Sequence, residues 1–483
     1  MVKVMKLGAE SYETVLPLAD VTAAIPGELF LNEQSFPVQL RFASKYSLSL
    51  MPLPTKPDIA TGRYDALTIY LSNDDQVETG SCQVYQDNTA DGHELRLVSL
   101  KGIVDFQKLL FKKRVDLLDN AGRNLPLVLG YKKNLDRRFK EYVSELSYDL
   151  SVYQNLFDRL DEEYMHEPSA VREIIQKGII ENMGSDFTAC LDTYVRRLPE
   201  AISNLANDQY GHHGYYLRKQ IWRALLSAPF LSRTNLKPRG YIGDSEMMQM
   251  CYRHDYEGAS TFGKIMHYHP VNSAAAQAVR NRRAIVPQLA RNVMDRLSDS
   301  VNGRVKLLSV ACGPAVELNE LYATATDCQR LHCSLLDQDQ IALTEAAASV
   351  RAIETRFNQS VSVDMIQESV RTLLATRILK SRWGDFHFIY SMGLFDYLTP
   401  PVAAAVLEKL YALLLPGGEM AIGNFHVDNP TRFYMDYWMD WPLYYRTEET
   451  FLALTAELKG MHAWIDYDDT GVQMLLRIRK TDH

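Results

Sequence analysis

Residues 305–339 admit few folds. Val305 to Val310 is a short apolar run of the kind that forms a buried strand, and it leads directly into Ala311-Cys312-Gly313-Pro314-Ala315. The apolar spacing then predicts a helix from Val316 and a second buried strand over Cys333 to Leu336, stopped by Asp337. A strand, a tight turn with glycine, a helix and a second strand ending in an acid form a β-α-β unit. In an open α/β sheet this unit brings backbone N–H groups and a ribose-gripping carboxylate to one crevice at the strand ends. Gly313 lets the backbone come close to a ligand. Asp337 is the residue expected to accept from the ribose hydroxyls. A pyrophosphate would call for G-x-G-x-x-G, and this turn carries one glycine and a proline. No G-K-[ST] follows, so a phosphate-cradling loop is not expected either. The expected ligand is a nucleoside without a pyrophosphate.

Two later stretches extend the pattern. Phe386 to Tyr390 is a strand candidate that ends in Ser391-Met392-Gly393-Leu394-Phe395-Asp396-Tyr397-Leu398. Leu413-Leu414-Leu415-Pro416-Gly417-Gly418 is a turn preceding the apolar run Glu419 to Gly423. In this order and spacing the three features resemble class I S-adenosylmethionine-dependent methyltransferases. Ser309 and Ala311 stand where that family commonly carries an acid and the first glycine of E/D-x-G-x-G. The resemblance implies S-adenosyl-L-methionine as cofactor. It implies donor contacts at Ala311, Cys312 and Gly313, at Asp337 and Gln338, at Glu368 and Ser369 near adenine, and at Ser391, Met392 and Gly393 beside the methyl group. Trp464 to Asp466 and Val472 to Ile478 look like the terminal antiparallel hairpin of that fold.

The segment before the first strand narrows the resemblance. Lys237-Pro238-Arg239-Gly240-Tyr241 and Gly243 read as bends, and Asp244 as the cap of a helix beginning Glu246-Met247-Met248. Ala274 to Ile285 reads as a helix carrying Arg280, Arg282 and Arg283, with its end expected at Pro287. Together with Glu257-Gly258 and Trp441-Pro442-Leu443-Tyr444-Tyr445-Arg446, this stretch is similar to a bacterial methyltransferase family over about residues 210–480. That family includes quorum-sensing enzymes that make 3-hydroxy fatty acid methyl esters. Tyr241 and Asp244 join the implied donor contacts, with Asp244 serving as cap, as ligand or as both. Arg282 either grips the methionine carboxylate or lies on a solvated helix face.

The resemblance implies O-methylation of a small-molecule carboxylate such as a 3-hydroxy fatty acid. The alternative is an amine or hydroxyl of a specialised metabolite. An ionised carboxylate needs no base, whereas an alcohol or amine must lose a proton. His426 is then the candidate base, or else makes a structural hydrogen bond. Tyr434 belongs to an aromatic-rich segment (Phe433, Tyr434, Tyr437, Trp438, Trp441) suited to an acceptor cavity. Arg446 either orients an acceptor carboxylate or pairs with Glu448. A reading of another class is a catalytically dead fold acting as sensor or scaffold, which the Ala311–Ala315 turn favours.

The rest of the chain sets the frame. The fold class expected is α/β, a Rossmann-like seven-stranded class I methyltransferase domain at the C-terminus with a β-rich N-terminal domain and a helical middle region. The expected domains are 1–125, a β-rich barrel or sandwich; 126–235, helical, a lid or dimerisation element; and 236–483, the methyltransferase domain with its N-terminal helical extension. Residues 36–42, 67–71, 82–85 and 94–98 read as strands. Their pattern resembles a PilZ-type barrel, a cyclic-dinucleotide receptor, without its arginine-rich signature. In the middle region Pro199 is expected to interrupt a helix and Pro229 to follow the end of another. His212 and His213 read as surface or substrate-contact histidines. Of 483 residues, 52 are Lys or Arg and 60 Asp or Glu, giving a formal charge of −8 with no basic tail, so no nucleic-acid partner is expected. The six cysteines are scattered with no C-x-x-C pair, so neither zinc nor disulfides are expected. No leader or membrane span reads in the sequence, and a cytoplasmic location is expected. The partners expected are a small-molecule acceptor and, through the helical region, a second copy of the chain.

Overall fold

A computed structural model of the chain describes residues 16–17, 25–32, 34–43, 47–52, 59–70, 76–89, 92–99, 135–205, 209–297, 303–376 and 378–481. The first fifteen residues, part of the stretch searched for a leader, and residues 126–134 of the expected helical region lie outside these. The chain divides into two compact units, 1–135 and 136–483.

The first unit is an antiparallel sheet. Of the four segments read as strands, 36–42, 82–85 and 94–98 lie within Gln34–Ala43, Cys82–Thr89 and Gly92–Ser99; 67–71 matches Ala66–Tyr70 except for its last residue, which lies outside the described residues; and further strands such as Ile25–Leu31 and Ser47–Pro52 join them. Alternation decides the faces: Leu29, Val38, Leu40, Leu67, Val84 and Leu97 point inward to one core.

In the second unit, helices from Arg137–Glu163 to Ala274–Leu297 precede a seven-stranded sheet. Its strands are β1 (Val305–Val310), β2 (Leu331–Asp337), β3 (Ser362–Gln367), β4 (Phe386–Ser391), β5 (Leu414–Phe425), β6 (Met461–Tyr467) and β7 (Gln473–Lys480). Their order is β3-β2-β1-β4-β5-β7-β6. β1 pairs in parallel with β2 from Val305–Leu331 to Val310–Leu336, and with β4 from Leu307–Phe388 to Ser309–Tyr390. β7 runs antiparallel to both β5 and β6. The order reverses at β1, so a crevice opens where β1 and β4 end. The Pro416-Gly417-Gly418 turn lies within β5, at the register shift between Phe386 and Phe388 of β4.

Two of the three prolines act differently from their sequence reading, while the helix Trp222–Ser227 does end before Pro229. Pro229 begins the helix Pro229–Leu236, where its missing N–H would have had no partner inside the helix anyway. Pro199 lies inside Ser169–Ala201, near its end. Pro287 lies inside Ala274–Leu297. That helix continues because Val279, Val286, Leu289, Ala290, Val293 and Met294 are buried on both sides of the proline. Burial of such side chains, about 1.5–3 kcal/mol each, exceeds the ~3 kcal/mol cost of a helical proline. The helix expected from Val316 is also corrected: two short pieces, Leu318–Leu321 and Ala325–Arg330, replace it. Thr324 and Asp327 form a capping box that starts a new helix there.

The helices and the sheet end share one core. Phe139, Phe187, Phe262 and Val279 cluster with Phe425, Tyr434 and Trp438. Among the described residues, no helix is long and apolar enough to cross a membrane.

Candidate active site

The turn after β1 is built for close approach. Ala311, Gly313 and Ala315 all have positive φ, at 55°, 55° and 49°. For alanine this conformation is strained, so the surrounding structure must hold it. Cys312 N–H donates to Leu336 O at 3.0 Å, and Gly313 N–H donates to Asp337 Oδ2 at 2.9 Å. The ends of β1 and β2 are thereby locked together. No atom lies within 4 Å of where a Cβ on Gly313 would stand, so a ligand can lie against its backbone.

Asp337 also accepts from Asp339 N–H at 2.9 Å through Oδ1. Burial raises its pKa, and the N–H groups of Asp339 and Gly313 act against that. Gln338 is exposed beside it. Tyr241 donates to Asp339 Oδ2 at 2.7 Å, and Arg239 binds the same oxygen at 2.9 Å. Burial works against ionisation of Asp339, but these donors and Ile341 N–H pull its pKa down. The Lys237–Tyr241 bend is therefore tied to the acidic end of β2. Ser391 Oγ donates to Val310 O at 2.8 Å and holds β4 to β1.

Arg282 reaches this crevice from the helix Ala274–Leu297. It is 8% exposed and donates through Nε to Gln473 Oε1 at 2.8 Å. Its Nη1 would lie 3.4 Å from a Cβ on Gly393, and its guanidinium lies 5.4 Å from the Phe425 ring centre. Nη1 thus faces the end of β4.

Two residues not singled out in the sequence complete the group. Glu317 is buried just past the turn and accepts from the Tyr390 hydroxyl at 2.8 Å; burial raises its pKa. The Tyr252 hydroxyl lies in electrostatic reach of both Glu317 and Arg282, and burial raises its pKa too. An acid inside the apolar run Ala315-Val316-Glu317-Leu318 is the one sequence signal that could have marked Glu317. Asp396 is the third residue missed. It accepts from Phe425 N–H at 2.7 Å, and burial pushes its pKa up to about 6 although Arg282 and Arg446 act against it.

Other candidates already have protein partners, although Glu368 N–H donates to Asp337 O at 3.1 Å and Asp244 lies 3.9 Å from Arg239. Asp244 caps Ser245–Arg253 by accepting from Met247 N–H at 3.0 Å, and it is paired with Arg233 at 2.8 Å. It is 1% exposed. Glu368 is ion-paired with Arg382, and Ser369 caps Val370–Ala375. Arg446 donates to Phe395 O at 2.8 Å, to Leu398 O at 2.6 Å and to Asn424 Oδ1. Burial lowers its pKa to about 10. Its alternative partner Glu448 instead accepts from Tyr467 at 2.8 Å. His426 lies on the hairpin side, where its Nδ1 accepts from Asp428 N–H at 3.2 Å and its ring lies 6.0 Å from that of Tyr467. Tyr434 donates to His269 Nδ1 at 2.8 Å, and His269 Nε2 donates to Asp192 at 3.1 Å, which joins three helices. His213 is buried rather than superficial: Nε2 accepts from Asp136 N–H at 3.0 Å and Nδ1 donates to Gln209 O at 2.8 Å. Among the described residues, no group of three or more His, Cys, Asp or Glu side chains could hold a metal ion.

The strand order, with one antiparallel strand inserted beside β5, defines a class I methyltransferase fold. No family model and no curated protein matches the chain. Among solved structures, a possible exported protein of Bordetella parapertussis is 17% identical, with 62% of this chain and 98% of that one covered, at a TM-score of 0.42. Magnesium protoporphyrin IX methyltransferase of Synechocystis, solved with S-adenosylmethionine, is 11% identical over 43% of this chain and 83% of its own, at 0.30. The N-methyltransferase NodS of Bradyrhizobium japonicum is 14% identical over 41% and 96%, at 0.28.

Proposed function

We propose that the chain is an S-adenosylmethionine-dependent methyltransferase acting on a small molecule. The observation that carries this reading is the meeting of Arg282, Glu317 and the open Gly313 turn with Asp337 at the ends of β1, β2 and β4. A sulfonium donor has a carboxylate, an ammonium and a ribose, and this group offers one partner to each. Arg282 takes the carboxylate by charge-assisted hydrogen bonds, Glu317 the ammonium, and Asp337 the ribose hydroxyls. Ala311, Cys312 and Gly313 supply the backbone floor. Gln338 borders the ribose, and Ser391, Met392 and Gly393 border the methyl group.

The donor brings an activated methyl group. The protein's part is to align the acceptor with it and to exclude water. Between the two acceptor classes, a hydroxyl or amine is favoured over a fatty acid carboxylate. Arg446, the residue that would orient a carboxylate, already donates to three backbone carbonyls and Asn424.

Calorimetry with S-adenosylhomocysteine tests the reading. Saturable heat is expected with it and none with NAD. Binding of NAD without S-adenosylhomocysteine would end the methyltransferase reading.

A further inference from the structure

We propose that Arg432 and Asp436, on the helix Arg432–Trp438, form the acceptor subsite and take an uncharged hydroxyl on a flat ring skeleton. This rests on the methyltransferase reading for the name acceptor, but not for the binding itself.

The two side chains are four residues apart and share a helix face. Such a pair normally closes into a hydrogen-bonded ion pair, yet here Arg432 Nε and Asp436 Oδ2 stand 3.9 Å apart. The guanidinium lies instead over two rings, 4.9 Å from the centre of Tyr445 and 5.5 Å from that of Phe433. Consequently Arg432 Nε and Asp436 Oδ1 are both buried without a hydrogen-bond partner. The remainder of each side chain stays reachable, at 40% exposure for Arg432 and 23% for Asp436. Burial raises the Asp436 pKa to about 7 even with Arg432 beside it, as expected of a carboxylate short of donors.

The missing partners define the ligand. Oδ1 requires a donor and Nε requires an acceptor, so one group must do both. A carboxylate would satisfy Arg432 and be repelled by Asp436, and an ammonium would do the reverse. A hydroxyl donates to one and accepts from the other with no net charge. The neighbouring walls are flat and apolar: Phe433, Tyr445, and Met435, whose sulfur accepts from the Tyr445 hydroxyl at 3.7 Å. The pair is linked to the donor side through Tyr445 and its neighbour Tyr444. Tyr445 senses both Asp436 and Asp396, and Asp396 in turn senses Arg282. The backbone agrees, since Tyr444 N–H donates to Asp396 O at 2.7 Å.

The test uses the full chain saturated with S-adenosylhomocysteine and titrated with phenol, benzoate and benzylamine. Phenol should bind saturably, and the two charged probes about tenfold more weakly or worse. Asp436→Asn and Arg432→Gln should each weaken phenol about tenfold and leave S-adenosylhomocysteine affinity unchanged. Either variant suffices should the other not fold. The proposal is overturned if phenol does not bind, meaning that solvent alone fills the pair. It is also overturned if both variants keep wild-type phenol affinity, or if a charged probe binds as tightly. Phenol binding that depends on Asp436 in a protein with no affinity for S-adenosylhomocysteine would support the subsite while removing the methyltransferase reading.

Discussion

Glu317 and Arg282, an acid and a base, are both 8% exposed, and the Tyr252 hydroxyl lies in electrostatic reach of each. Opposite charges buried near one another without direct pairing fit a zwitterion that bridges them. Replacing Glu317 by Gln keeps the shape and the acceptor for Tyr390 but removes the charge. Affinity for S-adenosylhomocysteine should fall about tenfold, the worth of a charge-assisted hydrogen bond. Affinity for adenosine, which lacks the amino acid, should not change. Equal losses for both ligands in calorimetry would mean that Glu317 only supports the turn. Asp436 makes a prediction about stability. Its folded pKa, about 7, lies above the ordinary 3.8, so folding takes up a proton there. The stability contributed by this group is whole below pH 3.8 and is lost as pH rises through about 7. Asp436→Asn removes the ionisation, so it should be more stable than wild type above neutral pH. The gain should be on the order of 2 kcal/mol, discounted for the side chain's partial contact with solvent, and should fade in acid. Urea melts at acid and alkaline pH measure this, and a variant weaker at alkaline pH would show that the carboxylate is paired.

The bend from Lys237 to Gly243 governs how the helical extension meets the strand ends. Gly243 has φ +77°, and a Cβ there would collide with the Tyr397 hydroxyl and come 3.2 Å from the Trp441 ring. Those two side chains are themselves joined by Trp441 Nε1–H donating to Tyr397 Oη at 2.9 Å. Gly243→Ala should therefore cost about 2–4 kcal/mol, from left-handed strain plus overpacking. Chemical denaturation reads this directly, and a loss under 1 kcal/mol would mean that the bend yields freely. Gly240 and Gly243 are legible as turn residues in the sequence and both have positive φ, but the close contact that demands Gly243 comes from residues more than 150 positions away in the chain. The prolines show the same limit. Pro199 and Pro287 are local breakers by type, yet both lie inside helices. Buried neighbours outweighed the local cost.

The two units have separate cores. Leu29 to Leu97 build one, while the clusters around Phe139 and around Val286 lie wholly within 136–483. A fragment 136–483 should therefore fold cooperatively and keep S-adenosylhomocysteine affinity within about threefold of the full chain. A molten fragment, shown by flat near-ultraviolet dichroism, would contradict this. What the sequence determined by itself was the sheet: apolar runs of strand length, a turn with one glycine and an acid ending β2 are local patterns, and local patterns survive in a linear reading. The seven-stranded sheet and its terminal antiparallel hairpin are what the family resemblance implies, and the observed order β3-β2-β1-β4-β5-β7-β6 bears them out. Only the tertiary structure decided which charges meet. Arg282 finds Gln473 across 191 residues, and Glu317 finds Tyr390 across 73. It also showed that Arg446 holds carbonyls of the 395–398 loop and that Asp244 is spent on a cap and Arg233. The physical reason is that a side chain's partners are set by where helices cross the sheet ends, and that crossing is fixed by the packing of the whole core, which no short stretch of sequence encodes.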